Sequence, residues 1–278
     1  MIYEIRDLHF SYGKHPVLKG VRFSAKEGDF VCLLGENGAG KTTLFRCMLG
    51  LQKGYEGEIL VCGEPIHNYS VKEMAKKIAY IPQAHSPTFN YTVLQTVLMG
   101  TSAQMGRFQT PGQREVETAR KNLKRLGIQG LEERGYAEIS GGERQLVLIA
   151  RALSQNSRVL IMDEPTANLD YGNQIRVMQQ IQALTREGYL ILLSTHNPEH
   201  ALLYSDKVLV LRNGRTDLFG KTREVLNSRV ISDIYTVPVR VEELQTKEGT
   251  YPVCIPEDWN QFNVSGRLAD EKEQEEKQ

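Results

Sequence analysis

The sequence has no run near the roughly 18 consecutive apolar residues that a membrane-spanning helix needs, so the chain is not expected to cross a bilayer. Neither sign of charge is in excess: Lys plus Arg number 34 and Asp plus Glu number 34, for a formal net charge of zero. Nonspecific nucleic-acid affinity arises from surplus basic charge, so no nucleic-acid partner is expected. The start, Met1-Ile2-Tyr3-Glu4-Ile5-Arg6, brings acidic residues at once and lacks an apolar segment with a small-residue cleavage site. A secretory signal is therefore not expected, and the chain is read as cytoplasmic. Cysteine is scarce. Cys32, Cys47, Cys62 and Cys254 are scattered with no CxxC pair, and three lie in apolar segments, which reads as reduced, structural thiols. No internal repeat is visible.

What is present fits a globular protein, with 40% hydrophobic and 24% charged residues. The 278 residues suffice for one large α/β domain or a domain with an appendage. Short apolar runs bounded by Gly, Pro or Asn at 30–34, 58–61, 78–81, 159–162, 190–194 and 208–211 read as strands. Helical patterns lie between several of them. Leu146, Ile149, Ala150 and Leu153, for example, put one apolar stripe on one face. Alternating strands and helices predict an α/β fold with a largely parallel sheet covered on both faces. Residues 2–10 and 21–25 flank a turn-rich stretch and predict an antiparallel β element at the N-terminus. Residues 92–156 read as mainly helical, with Thr92 and Thr110 as N-caps, the latter before Pro111 at the first helical position. This is read as a helical subdomain, about 84–156, inserted into the sheet. Asn213-Gly214 marks a hairpin turn. Residues 222–269 form a small extension, and the charged stretch 270–278 reads as a disordered tail.

Gly35-Glu36-Asn37-Gly38-Ala39-Gly40-Lys41-Thr42 fits G-x-x-x-x-G-K-[ST] between an apolar strand and the helical run 43–49, where a phosphate loop belongs. Its glycines let successive N–H groups and the helix N-terminus face the phosphates. Lys41 is expected to reach the β and γ phosphates and Thr42 to ligate Mg²⁺. Gly35, Asn37, Gly38, Ala39, Gly40, Lys41, Thr42 and Thr43 are the candidate nucleotide-binding residues of this segment. A second apolar strand ends in Asp163-Glu164. Isolated carboxylates are costly to bury, so a pair at a strand end beside a phosphate loop points to use by a cation and a water. Asp163 is assigned to the Mg²⁺ shell and Glu164 to orienting and deprotonating the attacking water.

Kinases and GTPases share those two pieces. Ile139-Ser140-Gly141-Gly142-Glu143-Arg144-Gln145, shortly before the carboxylate strand, resembles the signature motif of ABC transporter ATPases, and the resemblance covers about residues 1–221. It implies that Ser140, Gly141 and Gly142 contact the nucleotide of a paired ATPase subunit, so that hydrolysis needs a homodimer or a heteromeric pair. Other family elements match in order. Phe10-Ser11-Tyr12-Gly13 is similar to the loop whose aromatic ring stacks on adenine, which assigns that role to Tyr12; the alternative is an exposed strand-end tyrosine. Gln83 matches the glutamine that contacts Mg²⁺ and water. Ala167-Asn168-Leu169-Asp170 matches the D-loop, which places Asp170 at the dimer contact, and His196 matches the switch histidine at the γ-phosphate. Ile139 and Glu143 depart from the commonest Leu and Gln of the signature.

Pro87-Thr88-Phe89-Asn90-Tyr91-Thr92-Val93, Leu98-Met99-Gly100 and Leu169-Asp170-Tyr171-Gly172-Asn173-Gln174 are similar to subunits that power import of iron siderophores, haem or cobalamin. The resemblance implies ATP and Mg²⁺ as cofactors, integral-membrane permease subunits as partners, a substrate-binding protein as an indirect one, and a position on the inner face of the membrane. Motors of molybdate or other metal importers, or of a drug or lipid exporter, are the alternatives. A regulatory module without catalysis predicts loss of Lys41, Glu164 or His196, and all three are present.

Overall fold

The computed structural model describes residues 2–83, 91–106 and 109–257. Strands β1 (Tyr3–Tyr12) and β2 (His15–Ala25) form a hairpin, followed by β3 (Phe30–Leu34), helix α1 (Lys41–Met48), β4 (Glu56–Val61), the short β5 (Glu64–Pro65), α2 (Val71–Lys77) and β6 (Ile78–Ile81). Then come α3 (Val93–Leu98), α4 (Gln113–Arg125), α5 (Gly141–Ser154), β7 (Val159–Asp163), α6 (Tyr171–Arg186), β8 (Leu190–Ser194) and α7 (Pro198–Tyr204). The chain continues through β9 (Lys207–Arg212), β10 (Arg215–Lys221), α8 (Thr222–Val225), α9 (Ser228–Tyr235), β11 (Val239–Thr246) and β12 (Gly249–Pro256).

Two main sheets and the two-stranded β11–β12 hairpin organise these elements. The larger has the order β10-β9-β3-β8-β7-β6, parallel except for the edge strand β10. Its central strands β3, β7 and β8 are buried at every position because both faces are covered, and they are apolar except for Asp163 and Ser194 at their ends. In β3, Phe30, Cys32 and Leu34 face one core while Val31 and Leu33 face the other, and β7 divides in the same way between Leu160 and Met162 on one side and Val159 and Ile161 on the other. The smaller sheet, β2-β1-β4-β5, is antiparallel. The run at 58–61 is therefore a strand, but it pairs with β1 rather than joining the parallel sheet. Length and apolar content cannot distinguish the two sheets. Alternation in β1 buries Tyr3, Ile5, Leu8 and Phe10 and breaks at Arg6-Asp7, where the register shifts and Asp7 takes a positive φ.

The segment between β6 and β7 holds α3, α4 and α5, and their buried faces join the same apolar cluster as one side of the large sheet. Thr92 caps α3 as expected, accepting from the Gln95 N–H at 3.1 Å while Gln95 returns a bond to the Thr92 N–H. Thr110 does not cap α4. That helix starts at Gln113 with Gly112 as N-cap, and the Glu115 carboxylate accepts the Gly112 N–H at 2.9 Å. Buried residues of α5 extend beyond the single expected stripe to Val147, Leu148 and Ala152, because the helix is sandwiched between α3, α4, α6 and the sheet. Asn213 and Gly214 both take positive φ and turn β9 into β10, the type I′ geometry expected of that pair.

After Lys221 the chain does not form a core of its own. Leu226, Ile231 and Ile234 enter the main cluster, and the β11–β12 hairpin leans on α7, where the Cys254 N–H donates to Glu199 Oε1 at 3.2 Å. Cys32 and Cys47 are buried, Cys62 is exposed and Cys254 half-buried; all four are free thiols. Residues 270–278, and residues 84–90 with the 87–90 part of the importer-like motif, lie outside the described residues. No helix among the described residues is long and apolar enough to cross a membrane.

Leu160, fully buried in β7, tests the two-faced core. Leu160→Ala is expected to cost about 2–5 kcal/mol in denaturant unfolding with an unchanged m-value, and a loss under about 1 kcal/mol contradicts the packing.

Candidate functional site

Between β3 and α1 the chain runs through Gly35 to Gly40, and the way α1 begins sets its chemistry. Its N-cap is Gly40, in the left-handed region at φ 102°, with no side-chain cap and no acidic residue in the first turn. The first N–H groups of α1 are thus free of a side-chain acceptor and carry the positive end of the helix dipole. Gly35 has φ 157°, and a Cβ there would run into the Leu211 carbonyl oxygen. Only glycine brings the loop this close to β9. Ala39 is buried beneath the loop, Asn37 and Gly38 are exposed, and Thr43 is half-buried on α1.

Lys41 is buried, and its Nζ donates to the carbonyls of Gly35 at 2.7 Å and Glu36 at 3.1 Å. Burial lowers its pKa, opposed by the charges of Glu164 and Asp163 nearby. Thr42 Oγ1 donates to Asp163 Oδ2 at 3.0 Å, so the helix start and the end of β7 meet at one hydroxyl–carboxylate contact. The other carboxylate oxygen of Asp163 accepts from Ser194 Oγ at 2.6 Å, and Ser194 Oγ in turn accepts the Glu164 N–H at 3.0 Å. The Tyr80 hydroxyl lies near Asp163, and burial together with the Asp163 charge pushes it up to about 12.

Glu164 leaves the strand with φ 46°, a backbone conformation that is costly for a residue bearing a Cβ. The turn separates its side chain from that of Asp163. Its Oε2 lies 3.6 Å from His196 Nδ1 across a cleft of about 630 Å³. Gly35, Asn37, Gln83, Glu164 and His196 line this cleft. The loop following Glu164, the start of α7 at His200 and residues 234–236 at the end of α9 complete its walls.

The remaining predicted residues stand elsewhere. Tyr12 is exposed on β1 and meets Phe10 edge-on, centroids 4.9 Å apart. Ser140, Gly141 and Gly142 open α5 and do not line the cleft. They do not present a bare helix end: Ser140 Oγ accepts the Glu143 N–H at 3.3 Å, and Glu143 Oε2 accepts the Ser140 N–H at 2.8 Å. These bonds explain the glutamate at a position where the family commonly has glutamine, since either can close this capping box. Glu143 is held below the ordinary carboxylate range by the Ser140 backbone and hydroxyl. Asp170 caps α6, accepting the Asn173 N–H at 2.8 Å, and those bonds lower its pKa. A Cβ at Gly142 would collide with the Asn173 side chain, so α5 and α6 begin in contact.

Sequence reasoning passed over Tyr80, Thr166 and His200 and gave Ser194 no role beyond ending a strand. A hydroxyl at the end of an apolar strand is a usable signal for Ser194, but nothing in the local pattern marks the others. His200 is 8% exposed, and burial, then the neighbouring His196, lowers its pKa to about 4.

Known proteins resemble this chain in sequence and fold. The ABC transporter family profile matches residues 18–167. An uncharacterized ABC transporter ATP-binding protein of Haemophilus influenzae is 40% identical over 84% of this chain and 89% of its own length. A Helicobacter pylori protein named for iron chelatin transport is 35% identical over 86% and 94%. A solved structure described as a metal-chelate type ABC transporter in an inward-facing conformation superposes with a TM-score of 0.83 at 30% identity, covering 94% of this chain and 99% of that one. The chain belongs to the ABC transporter family, as an ATP-binding subunit whose domain class binds and hydrolyses ATP.

Ser194 is wholly buried and satisfies two partners at once. Ser194→Ala is expected to destabilise the fold by about 1–3 kcal/mol in thermal or denaturant unfolding, because the Asp163 carboxylate loses a buried donor. An unchanged midpoint contradicts the clamp.

Proposed function

We propose that this chain is one half of a paired ATPase that drives uptake of an iron chelate or corrinoid through separate membrane permease subunits. The observation that carries the catalytic part is the convergence of three groups from separate elements: the uncapped start of α1, Asp163 tied to Thr42, and Glu164 facing His196 at 3.6 Å.

The N–H groups of residues 35–42 and the Lys41 ammonium are suited to hold the triphosphate. Thr42 Oγ1 and one Asp163 oxygen already meet, and with Gln83 they offer hard oxygen donors for Mg²⁺. Among the described residues no three His, Cys, Asp or Glu side chains gather to hold a metal unaided, which suits a cation held jointly by protein and phosphates. When bound, Mg²⁺ neutralises charge developing between the β and γ phosphates. Glu164 orients and deprotonates the attacking water. His196, on the opposite wall, contacts the γ-phosphate and fixes the Glu164 carboxylate. Tyr12 supplies a ring face for adenine.

Ser140, Gly141 and Gly142 serve the nucleotide of the second subunit. The exposure of Ser140 and Asp170 at the starts of α5 and α6 supports a head-to-tail pair. The cargo class rests on likeness to the iron chelatin and metal-chelate relatives and on the importer-like motifs around Leu98-Met99-Gly100 and Tyr171-Gly172-Asn173. The subunit then sits on the inner face of the membrane, held by its permease. Identifying the ligand of the binding protein that co-purifies with that complex tests this part, and a drug or lipid in its place contradicts it.

Two substitutions test the chemistry. Lys41→Ala is expected to weaken ATP binding at least tenfold, or about 1.4 kcal/mol, in calorimetry; wild-type affinity removes the phosphate assignment. Glu164→Gln is expected to bind ATP normally and to lower turnover by about 10²–10⁴, the span of general-base catalysis. Turnover near wild type excludes the base.

A further inference from the structure

The strands that deliver Glu164 and His196 stop just short of them. The β7–β8 ladder ends at the pair Asp163 and Ser194. Beyond it the two loops diverge without backbone bonds to each other, yet a base and a γ-phosphate contact need a fixed separation. Ser194 secures the near end. Further out, a single ring nitrogen does the same: His200 Nδ1 lies 3.4 Å from Thr166 Oγ1 and 3.3 Å from Thr195 Oγ1. Thr166 follows Glu164 by two residues and Thr195 directly precedes His196. Both threonines and His200 are buried, so water does not readily replace these contacts.

The bridge is anchored on each side. Thr195 Oγ1 also accepts the Asn197 N–H at 3.1 Å, and the Thr195 N–H donates to the Leu33 carbonyl at 3.2 Å, which ties the switch loop to the strand leading into the phosphate loop. Asn197 caps α7, the helix that carries His200. On the other side, the Ala167 N–H returns to the Glu164 carbonyl at 3.1 Å and closes the turn that contains Thr166. Glu199, next to His200, accepts the Cys254 N–H of β12, so the start of α7 that carries the histidine is held by its cap and by the neighbouring hairpin.

We infer that His200 is a positioning residue for hydrolysis, which through Thr166 and Thr195 holds the Glu164 and His196 loops at their working separation. The inference rests on the roles given above to Glu164 and His196. Although His200 lines the cleft wall, it acts in this scheme through the two threonines and not on the attacking water or the phosphate. Burial keeps the ring neutral, so one nitrogen and its proton or lone pair are shared between two hydroxyls whichever tautomer is present. A histidine that merely filled space would tolerate an apolar residue of similar size; a positioning one would not.

The test uses the full chain, with MgATP turnover, ATP affinity by calorimetry and melting temperature measured for His200→Leu, His200→Asn and the double variant Thr166→Val/Thr195→Val. His200→Leu is expected to lose about ten- to hundredfold in kcat, as small misplacements of catalytic groups do, with ATP affinity held within about twofold. The double threonine variant is expected to show the same loss, and its combination with His200→Leu no further loss, because all three residues act as one unit. His200→Asn, which keeps a polar group able to bond a hydroxyl, is expected to recover much of kcat. Wild-type kcat in His200→Leu, or losses that add between the leucine and valine variants, overturns the inference. Should His200→Leu fail to fold, an unaltered kcat in the double threonine variant overturns it alone. Glu164→Gln in the same assay separates the two levels: normal turnover there removes the parent reading, whereas its inactivity beside an active His200→Leu removes only this one.

Discussion

Ser194 accepts a hydrogen bond from the Glu164 N–H while donating to Asp163, and this pair of bonds holds two carboxylates at the end of one strand on separate errands. Repulsion alone would keep two adjacent acids apart, but these bonds fix which one turns inward. Asp163 is held inward, between Ser194, Tyr80 and the Thr42 hydroxyl. Glu164 is turned outward by a left-handed backbone that the surrounding bonds must sustain. The parallel sheet supplies the register in which this works, since Asp163 pairs with Ser194 and the strand after it delivers His196.

Two helix ends matter to the proposed chemistry, and they are built differently. The start of α1 is left open by Gly40, with a lysine buried beneath it. The start of α5 is closed by the reciprocal bonds of Ser140 and Glu143, at the surface and against α6. An open end behind a glycine loop suits firm binding of phosphate by its own chain. A closed end on the surface suits a weaker, exchangeable contact, since a phosphate arriving there competes with Glu143 for the Ser140 N–H. That difference fits ATP gripped by one subunit and only covered by the other.

Much of this was legible from residues alone. The runs at 30–34, 159–162 and 190–194 announce themselves because strands covered on both faces are almost wholly apolar, and the phosphate loop is readable because its chemistry demands glycine, lysine and hydroxyl at fixed spacing. Less local features were not. Whether 58–61 joins the parallel or the antiparallel sheet depends on a partner far away in sequence. The start of α4 was misread at Thr110 because a glycine cap with a glutamate three residues on is a faint signal beside Thr-Pro. The β11–β12 hairpin has three charged residues among the eight of β11, and the apolar run 251–255 in β12 carries no turn signal that names its partner. His200 is one histidine in a short helix, and its meaning comes wholly from two threonines on loops that the fold brings together.

The central claim is that each nucleotide belongs to two subunits, and complementation between inactive variants tests it most directly. Lys41→Ala disables the phosphate loop and leaves the signature intact; Ser140→Arg blocks the signature and leaves the phosphate loop intact. Each is expected to be nearly inactive alone. On mixing, the account predicts that ATPase activity returns, because a mixed pair contains one complete site. Persistent inactivity of a mixture shown to contain mixed pairs, or full activity of Ser140→Arg by itself, contradicts it.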